Sequence, residues 1–106
     1  MDCLFCSIIE GKIPSNEIYE DDSVFAFYDI DPQAPVHFLV IPKEHIASPA
    51  AITPENSAVV AHVFEVIARL SQELGLENGY RVATNCGKDG GQSVGHLHFH
   101  ALGKRS

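Results

Sequence analysis

The segment Gly95-His96-Leu97-His98-Phe99-His100-Ala101-Leu102 decides the fold of this chain, because it alternates histidine with apolar residues. Alternation with a period of two is typical of a β-strand, in which successive side chains point to opposite faces of the sheet. We therefore expect a strand over 96–102 that carries three histidines on one face. The apolar residues between them are expected to face the core.

A row of three imidazoles has three explanations. They could be structural, although crowded imidazoles cost free energy unless each one is neutral or hydrogen-bonded. They could bind one metal ion, but His96 and His100 would lie about 13 Å apart along a strand. Zinc needs each nitrogen at ~2.0–2.1 Å, so all three could join it only under strain. The spacing favours a line of groups that act along an extended ligand.

The loop before the histidine strand is rich in glycine. Gly90-Gly91-Gln92-Ser93-Val94 lets main-chain N–H groups approach a ligand closely, as in glycine-rich phosphate loops. The loop matches neither the P-loop pattern nor the pattern of dinucleotide-binding folds. Its position brings amides and a hydroxyl to the place where the imidazoles point. Since imidazole can act as nucleophile, proton donor or proton acceptor near neutral pH, the two segments together predict phosphate chemistry.

The remaining segments predict an α+β domain. Leu4–Glu10 is typical of a short helix that stops at Gly11, and Thr53–Gly75 of one long helix with Thr53 as its N-cap. Hairpins and segregated helices favour an antiparallel sheet of five strands with one long and one short helix. The expected strands are 17–19, 23–29, 37–41, 80–85 and 96–102.

Length and composition fit one domain. The chain has 106 residues, of which 45% are hydrophobic, so we expect a single domain over 1–106. The net charge of −7 argues against sequence-independent nucleic-acid binding, which needs clustered Lys and Arg. A small anionic ligand is still compatible with it, because a pocket can be locally positive.

Neither a membrane span nor a secretory signal is expected. No apolar run approaches the ~18 residues of a span. The start Met1-Asp2-Cys3 lacks a basic segment followed by an apolar one. We therefore expect a cytoplasmic protein without a membrane partner. Three cysteines are an odd number for a disulfide framework, and Cys3-x-x-Cys6 is typical of a redox or metal site in a reducing compartment.

Several segments together resemble the histidine triad (HIT) superfamily. His96 to Leu102 is similar to its motif of three histidines separated by apolar residues. The segments 27–30, 32–35 and 37–45, together with 90–94, resemble the Hint-like branch. This resemblance implies a HIT-like fold and a homodimeric hydrolase of nucleoside phosphoramidates and acyl-nucleotides. It also implies a purine substrate such as an AMP derivative and no organic cofactor.

The resemblance further implies unequal roles for the site residues. His98 resembles the nucleophile that attacks the α-phosphorus and becomes transiently nucleotidylated. His100 resembles the residue that stabilises the phosphate charge, and His37 a histidine that orients the triad. Ser93 resembles the hydrogen-bond donor near the leaving group.

The nucleotide contacts are implied in the same way. Asp29 resembles the residue that accepts hydrogen bonds from the ribose hydroxyls, although it could also be a turn residue. The apolar slot for the base is expected to be formed by Phe5, Ile8, Phe27 and Ile30, of which Phe5, Ile8 and Phe27 could equally be core. The expected phosphate-side contacts are Asn85, Gly91, Gln92, Ser93, Val94, His98 and His100.

The resemblance also bears on the cysteines. Some bacterial members complete a pair like Cys3 and Cys6 with two histidines, which correspond here to His45 and His96. This implies a closed, structural zinc site that attaches the N-terminal helix to the sheet. The alternative is two reduced cysteines on a short helix without a metal.

Two other functions compete with phosphoramidate hydrolysis. One is hydrolysis of dinucleoside polyphosphates, as in the Fhit-like branch. The other is a nucleotide-binding regulatory module without turnover. His62, within the long helix, is interpreted as a structural or surface residue. That amphipathic helix and an exposed sheet edge favour a homodimer.

Overall fold

The computed structural model describes residues 3–106. Met1 and Asp2 lie outside the described residues, so the expectation about the start of the chain and the boundary of the predicted domain at residue 1 stay predictions. The elements are, in chain order, α1 (Leu4–Ile9), β1 (Glu17–Glu20), β2 (Val24–Tyr28), β3 (Val36–Pro42), a 3-10 helix (Pro49–Ala51), α2 (Ala58–Glu73), β4 (Tyr80–Ala83) and β5 (Phe99–Gly103).

The five strands form one antiparallel sheet in the order β1-β2-β3-β5-β4. The predicted α+β class, with five antiparallel strands and one long and one short helix, is confirmed. β3 is the central strand and is buried along its whole length. Its register with β5 pairs His37 with Leu102 and Leu39 with His100. Since paired residues of neighbouring strands point to the same face of the sheet, His37 and His100 lie on one face.

The two faces of the sheet are covered by different helices. The amphipathic α2 packs Val63, Val66, Ile67 and Leu70 onto one face, which holds the larger core. On the opposite face, α1 places Phe5 and Ile8 over a smaller cluster. The expected alternation is seen here, because Leu97, Phe99 and Ala101 all lie in the α2 core.

The histidine strand is shorter than predicted. β5 begins at Phe99, so His96 and His98 precede the ladder instead of belonging to it. The physical reason is that the Leu97 N–H donates to the carbonyl of Ile46 at 2.6 Å, in the segment that follows β3. The apolar side chains still alternate, but the main chain of His96 and His98 has no β-ladder partner. β4 likewise ends at Ala83, before the predicted Asn85.

The predicted start of the long helix at Thr53 is wrong. α2 begins at Ala58, after Ser57, which makes no side-chain capping bond. The Thr53 N–H donates to Asn56 Oδ1 at 2.7 Å, and Asn56 Nδ2 donates to the carbonyl of Ala51 at 3.2 Å. The asparagine side chain therefore closes a separate turn before the helix. The predicted stop is confirmed, since Gly75 has a φ of +85°.

Within residues 3–106, none of the helices combines the length and the apolar character that a membrane crossing needs.

Candidate functional site

A cavity of about 420 Å³ opens on the α1 face of the sheet, above the histidines. It lies between α1, the end of β2 and the segment before β5. Its walls are formed by Leu4, Phe5, Ile8, Ile13, Pro14, Ser15, Asn16, Phe27, Tyr28, Asp29, Ile30, Leu39, Ser93, Val94, His98 and His100.

His98 is buried at the floor of the cavity, with 3% exposure. Its Nδ1 lies 2.7 Å from the carbonyl oxygen of His96, and a carbonyl oxygen can only accept. The proton of a neutral His98 is therefore on Nδ1, which leaves a free lone pair on Nε2. The Thr84 hydroxyl donates to the carbonyl of His98 at 2.8 Å and fixes the main chain behind it. The ring of His98 is thus held in the tautomer that a nucleophile requires.

A chain of hydrogen bonds sets the tautomers of the other two site histidines. The Gln33 N–H donates to His37 Nδ1 at 3.0 Å, so a neutral His37 carries its proton on Nε2. His37 Nε2 lies 2.9 Å from His100 Nδ1 and donates to it. His100 then carries its own proton on Nε2, where it can be donated to an anionic oxygen.

Burial lowers the pKa of His100 to about 4, and the neighbouring His98 and His37 lower it further than the carboxylate of Asp29 raises it. His100 is therefore neutral at pH 7. A neutral imidazole still donates one hydrogen bond, so the site can offer an N–H to a phosphoryl oxygen without carrying a full positive charge there.

The two carboxylate oxygens of Asp29 have different surroundings. Its Oδ1 accepts from the Asp31 N–H at 2.8 Å, which closes the turn after β2. Its Oδ2 lies 3.5 Å from His37 Nε2 and 4.0 Å from His100 Nδ1, on the wall of the cavity. The turn explanation and the site explanation are therefore compatible, because each uses a different carboxylate oxygen.

The apolar slot is built from core and from exposed residues. Phe5, Ile8 and Phe27 are buried, and the rings of Phe5 and Phe27 meet edge to face at 5.6 Å. These three side chains belong to the smaller core and also line the cavity. Ile30 differs from them because it is 99% exposed at the cavity rim.

The glycine-rich loop contributes fewer residues than expected. Ser93 and Val94 line the cavity, whereas Asn85, Gly91 and Gln92 are not among its lining residues. Gln92 Nε2 donates to the carbonyls of Ala47 and Val94 at 2.8 and 2.9 Å, and its Oε1 accepts from the Gly87 N–H at 2.8 Å. Its amide is therefore engaged by the loop itself and by Ala47, in the segment after β3.

Asn85 also holds the loop together, since its Nδ2 donates to the carbonyl of Gly90 at 2.8 Å. The nucleotide contacts of Asn85, Gly91 and Gln92 stay predictions. The contacts in the structure give Asn85 and Gln92 a part in shaping the loop that presents Ser93.

The four expected metal ligands converge at the start of α1. Their ligand atoms all lie within 4.8 Å of one another. His96 Nδ1 is 3.3 Å from Cys3 Sγ and 3.6 Å from Cys6 Sγ, and His45 Nδ1 is 3.4 Å from Cys6 Sγ. Tetrahedral ligands at ~2.0–2.3 Å from zinc would be about 3.3–3.8 Å apart, so the spacing fits such an ion.

The surroundings of the cluster also suit a cation. His96 Nε2 donates to the carbonyl of Pro42 at 2.8 Å, which leaves Nδ1 as the free nitrogen that faces the sulfurs. Burial lowers the pKa of His96, and His45 and His98 lower it further, which favours the neutral form that metals bind. Burial, followed by the hydrogen bond and charge of Cys3, raises the pKa of Cys6 to about 11. A divalent cation would supply the opposing charge.

Several contacts of the site had no sequence signal. The Gln33 N–H and the Pro42 carbonyl are main-chain groups, whose direction depends on the fold and not on residue type. Thr84 directly follows β4, and its hydroxyl donates to the carbonyl of His98, which is 14 residues away in the sequence. The cavity is also lined by Leu4, Ile13 and Leu39. Hydrophobicity alone does not distinguish such lining residues from residues of the core.

The cavity has a distinctive charge pattern. Among the residues that the structure describes, those lining it include one carboxylate, Asp29, and no Lys or Arg. Its other polar lining side chains are uncharged or imidazole groups, namely those of Ser15, Asn16, Tyr28, Ser93, His98 and His100. This arrangement offers hydrogen bonds to a single phosphoryl group, but no cationic side chain for a longer polyphosphate chain.

Comparisons with known proteins agree on the family. The family model described as "HIT domain" matches residues 10–106. An uncharacterized HIT-like protein of Synechococcus elongatus is 47% identical over 105 residues, covering 99% of this chain and 92% of its own.

Solved structures are similar over the whole fold. A HIT family hydrolase from Legionella pneumophila has a TM-score of 0.95 and 44% identity, covering 99% of this chain and 95% of its own. A Zn-bound histidine triad family protein from Mycobacterium smegmatis has a TM-score of 0.84 and 40% identity, covering 100% of this chain and 77% of its own.

Proposed function

The chain belongs to the HIT domain family, and from this membership we propose that it is a nucleoside phosphoramidate or acyl-nucleotide hydrolase. It would cleave the bond between the α-phosphorus of a purine nucleoside monophosphate, such as AMP, and an amine or acyl leaving group. The observation that carries the proposal is the hydrogen bond of 2.7 Å between His98 Nδ1 and the carbonyl of His96. This bond leaves Nε2 free to act as the nucleophile.

The reaction has two steps. In the first, the Nε2 lone pair of His98 attacks the α-phosphorus and forms an N–P bond, while the bond to the leaving group breaks. The leaving group departs as an amine, after gaining a proton, or as a carboxylate. In the second step, water attacks the same phosphorus, the N–P bond breaks, and the nucleoside monophosphate and free His98 are released. Splitting one difficult displacement into two is the advantage of a covalent intermediate.

Two groups are well suited to assist these steps. The His100 Nε2–H, oriented through His37 and the Gln33 N–H, would donate to a phosphoryl oxygen whose charge increases in the transition state. The Ser93 hydroxyl on the cavity wall would donate to the leaving group. Because His100 is neutral at pH 7, its help is a directed hydrogen bond rather than a full charge.

The nucleoside would occupy the rest of the cavity. Asp29 Oδ2, on the cavity wall, would accept hydrogen bonds from the ribose hydroxyls, since a carboxylate can accept from two neighbouring hydroxyls. The base would lie in the apolar slot between Phe5, Ile8, Phe27 and Ile30.

The charge pattern favours phosphoramidates over dinucleoside polyphosphates. Among the described residues, no Lys or Arg lines the cavity, so no side-chain cation would compensate a second or third phosphate. A substrate with a single phosphoryl group and an uncharged or small leaving group fits better.

We further propose that Cys3, Cys6, His45 and His96 bind zinc. The ligand spacing and the free Nδ1 of His96 support this, as does the Zn-bound relative from Mycobacterium smegmatis. Four protein ligands would close the coordination sphere, so the ion would neutralise two thiolates and link α1 to the sheet. Metal analysis of Cys3→Ser protein should show zinc lost, whereas Cys86→Ser, which changes an exposed cysteine outside the cluster, should keep it. Unchanged zinc in Cys3→Ser would remove Cys3 from the site.

The hydrolase proposal is tested by incubating the protein with an adenosine phosphoramidate and following the release of AMP. His98→Ala is expected to lower the rate by roughly 10³-fold or more. His62→Ala is the matched control, because His62 lies on the face of the sheet away from the cavity. Equally slow release by wild type and His98→Ala would show that the proposal is wrong.

Two other outcomes separate the rivals. Faster turnover of a diadenosine polyphosphate than of the phosphoramidate would favour the Fhit-like alternative. Tight binding of AMP without any product that depends on His98 would favour a regulatory module without turnover.

A further inference from the structure

His96 belongs to the metal cluster through its side chain and to the catalytic segment through its main chain. Its Nδ1 faces the sulfurs of Cys3 and Cys6, while its carbonyl accepts the hydrogen bond that fixes the tautomer of His98. We propose that metal binding in this cluster controls the reactivity of His98, with the main chain of His96 and the ring of Phe5 as the two links. The inference rests on the proposed role of His98 as the nucleophile.

The first link runs through the peptide between His96 and Leu97. Regular pairing of β5 begins only at Phe99, so no ladder bond orients this peptide. Because the peptide is planar, its carbonyl is oriented by its own N–H, that of Leu97, which donates at 2.6 Å to the carbonyl of Ile46, the residue after the cluster residue His45. The fully buried ring of His96, bonded to Pro42 on one side and set against the sulfurs on the other, supplies the remaining constraint.

The second link runs through α1. This helix has only six residues and cannot be stable without tertiary contacts. Cys3 caps it and Cys6 lies in its first turn, so the cluster holds the end of the helix that carries Phe5. The Phe5 ring stands edge to face against His98 at 5.2 Å and against His96 at 6.0 Å. A shift of α1 would therefore move the wall on which His98 rests.

The chemical consequence concerns the tautomer of His98. In water, neutral histidine prefers to carry its proton on Nε2, and in His98 the hydrogen bond from Nδ1 to the carbonyl of His96 reverses this preference. If the carbonyl of His96 turns away, the Nε2 lone pair is lost in part of the molecules. The reacting fraction would fall while the nucleoside slot stays intact. His96 is thus a positioning residue, and a metal that binds its Nδ1 would stabilise the reactive form of His98.

The experiment compares wild-type protein stripped of zinc by a chelator with the same protein reloaded with Zn²⁺. The ¹⁵N shifts of the His98 ring report which nitrogen carries the proton, and they can be read whether or not any substrate is turned over. We expect a Nδ1-protonated ring in the loaded protein and a mixture of tautomers in the stripped protein. The kcat for AMP release should fall roughly tenfold on stripping, with little change in KM.

His45→Ala is the companion variant, because His45 contacts Cys6 and the ring of His96 and does not line the cavity. It should resemble the stripped protein, and added Zn²⁺ should not restore it. Val66→Ala, in the core under α2, controls for a general loss of stability and should leave the His98 signals unchanged. Phe5→Leu keeps all four ligands and should alter the His98 signals without changing the zinc content.

Identical His98 signals in stripped and reloaded wild type, or a wild type that binds no Zn²⁺, would overturn the inference. If the stripped chain unfolds, the loaded Phe5→Leu protein decides, since unchanged His98 signals there would contradict the coupling. Absence of AMP release by every form would reject the proposed function instead. The ¹⁵N measurement would still decide the coupling.

Discussion

Among single residues, His100 in the site and His62 on α2 differ in the direction in which the fold shifts their pKa. Burial holds the pKa of His100 near 4, whereas hydrogen bonds to Asp21 and then Glu65 raise the pKa of His62 on the other side of the sheet. The fold therefore favours the neutral form of the same residue type in one place and its protonated form in the other. The two histidines should therefore contribute opposite pH dependences to the free energy of unfolding.

The prediction for His100 concerns acid stability. Its folded pKa of about 4 lies below the ~6.5 of an unfolded histidine. Between these two pH values the residue therefore binds a proton in the unfolded chain but not in the folded chain. The stability advantage of wild type over His100→Gln should therefore shrink as the pH falls from neutral towards 4. Urea unfolding at several pH values measures it. A constant difference across this range would contradict the shift.

Most of the side chains that converge at the candidate site were predictable from the sequence, whereas the main-chain groups that orient them were not. The alternation of residues 96–102 places Leu97, Phe99 and Ala101 in the core, as expected. That the carbonyl of His96 and the N–H of Gln33 would decide the tautomers had no signal, because every residue carries these groups. Their direction depends on turns and registers that form only in the folded chain.

At the scale of elements, the loop before β5 depends on one close approach of main chain to main chain. A Cβ added at Gly90 would lie well inside contact distance of the carbonyl oxygen of Cys86. Gly90→Ala should therefore distort the loop that presents Ser93, lower the stability by about 1–3 kcal/mol and reduce AMP release. Gly95→Ala is the matched control, since a Cβ there meets nothing within 4 Å. Thermal unfolding and the hydrolysis assay check both; equal behaviour of the two variants would contradict the packing argument.

A second prediction concerns the connection between α2 and the turn between β1 and β2. His62 Nε2 lies 2.7 Å from Asp21 Oδ2, and His62 Nδ1 lies 3.2 Å from Glu65 Oε1. Burial disfavours the charged form of Asp21, but the hydrogen bonds from His62, the Ser23 N–H and Tyr19 outweigh it and hold the pKa of that carboxyl below its usual range. Asp21 is therefore ionised wherever His62 titrates.

Because the pKa of His62 is raised in the fold, its contribution is complete below the unfolded value of ~6.5 and is lost as the pH rises through the folded value. His62→Gln should thus cost about 0.5–1 kcal/mol at mildly acidic pH and less at alkaline pH. Urea unfolding at about pH 5.5 and about pH 8.5 measures this, with Glu77→Gln as a surface control. If His62→Gln lowered the stability equally at both pH values, the charged pair would not be the cause of the loss.

Elements were predictable where the pattern was long, and their ends were not. The apolar spacing of α2 identifies the helix, but the side chain of Asn56 turns the preceding segment away from it, so the helix starts at Ala58 instead of following Thr53. The histidine strand likewise starts late, because Leu97 bonds to Ile46. In both places a specific hydrogen bond outweighed a statistical preference.

The surface of the domain bears on the predicted homodimer. Phe64 of α2 is 47% exposed and β4 forms an edge of the sheet with Tyr80 40% exposed, so an apolar, strand-bearing side of the domain is uncovered. Such a side favours a twofold partner. Sedimentation should give about twice the 11.6 kDa of one chain. A mass near that of the monomer would contradict the dimer.

Phe64→Lys tests whether this side is the interface. A lysine there should shift the protein towards the monomer, because a buried charge without a partner is costly. Glu73→Lys places the same residue half a turn around α2 and should leave the mass unchanged. Equal masses for the two variants would place the interface elsewhere.

The uncovered isoleucine at the cavity rim has a calorimetric consequence. Ile30 is 99% exposed, and Leu4 and Ile13 beside the cavity are 48% and 38% exposed. A nucleoside that settles among them removes apolar surface from water, so the heat capacity of the system should fall on binding. Titration calorimetry with AMP at several temperatures should give a heat-capacity change on the order of −0.1 kcal/mol/K, and Ile30→Ser should make it smaller. The apolar residues of the rim would then contact the base and bury part of its surface when the nucleotide binds.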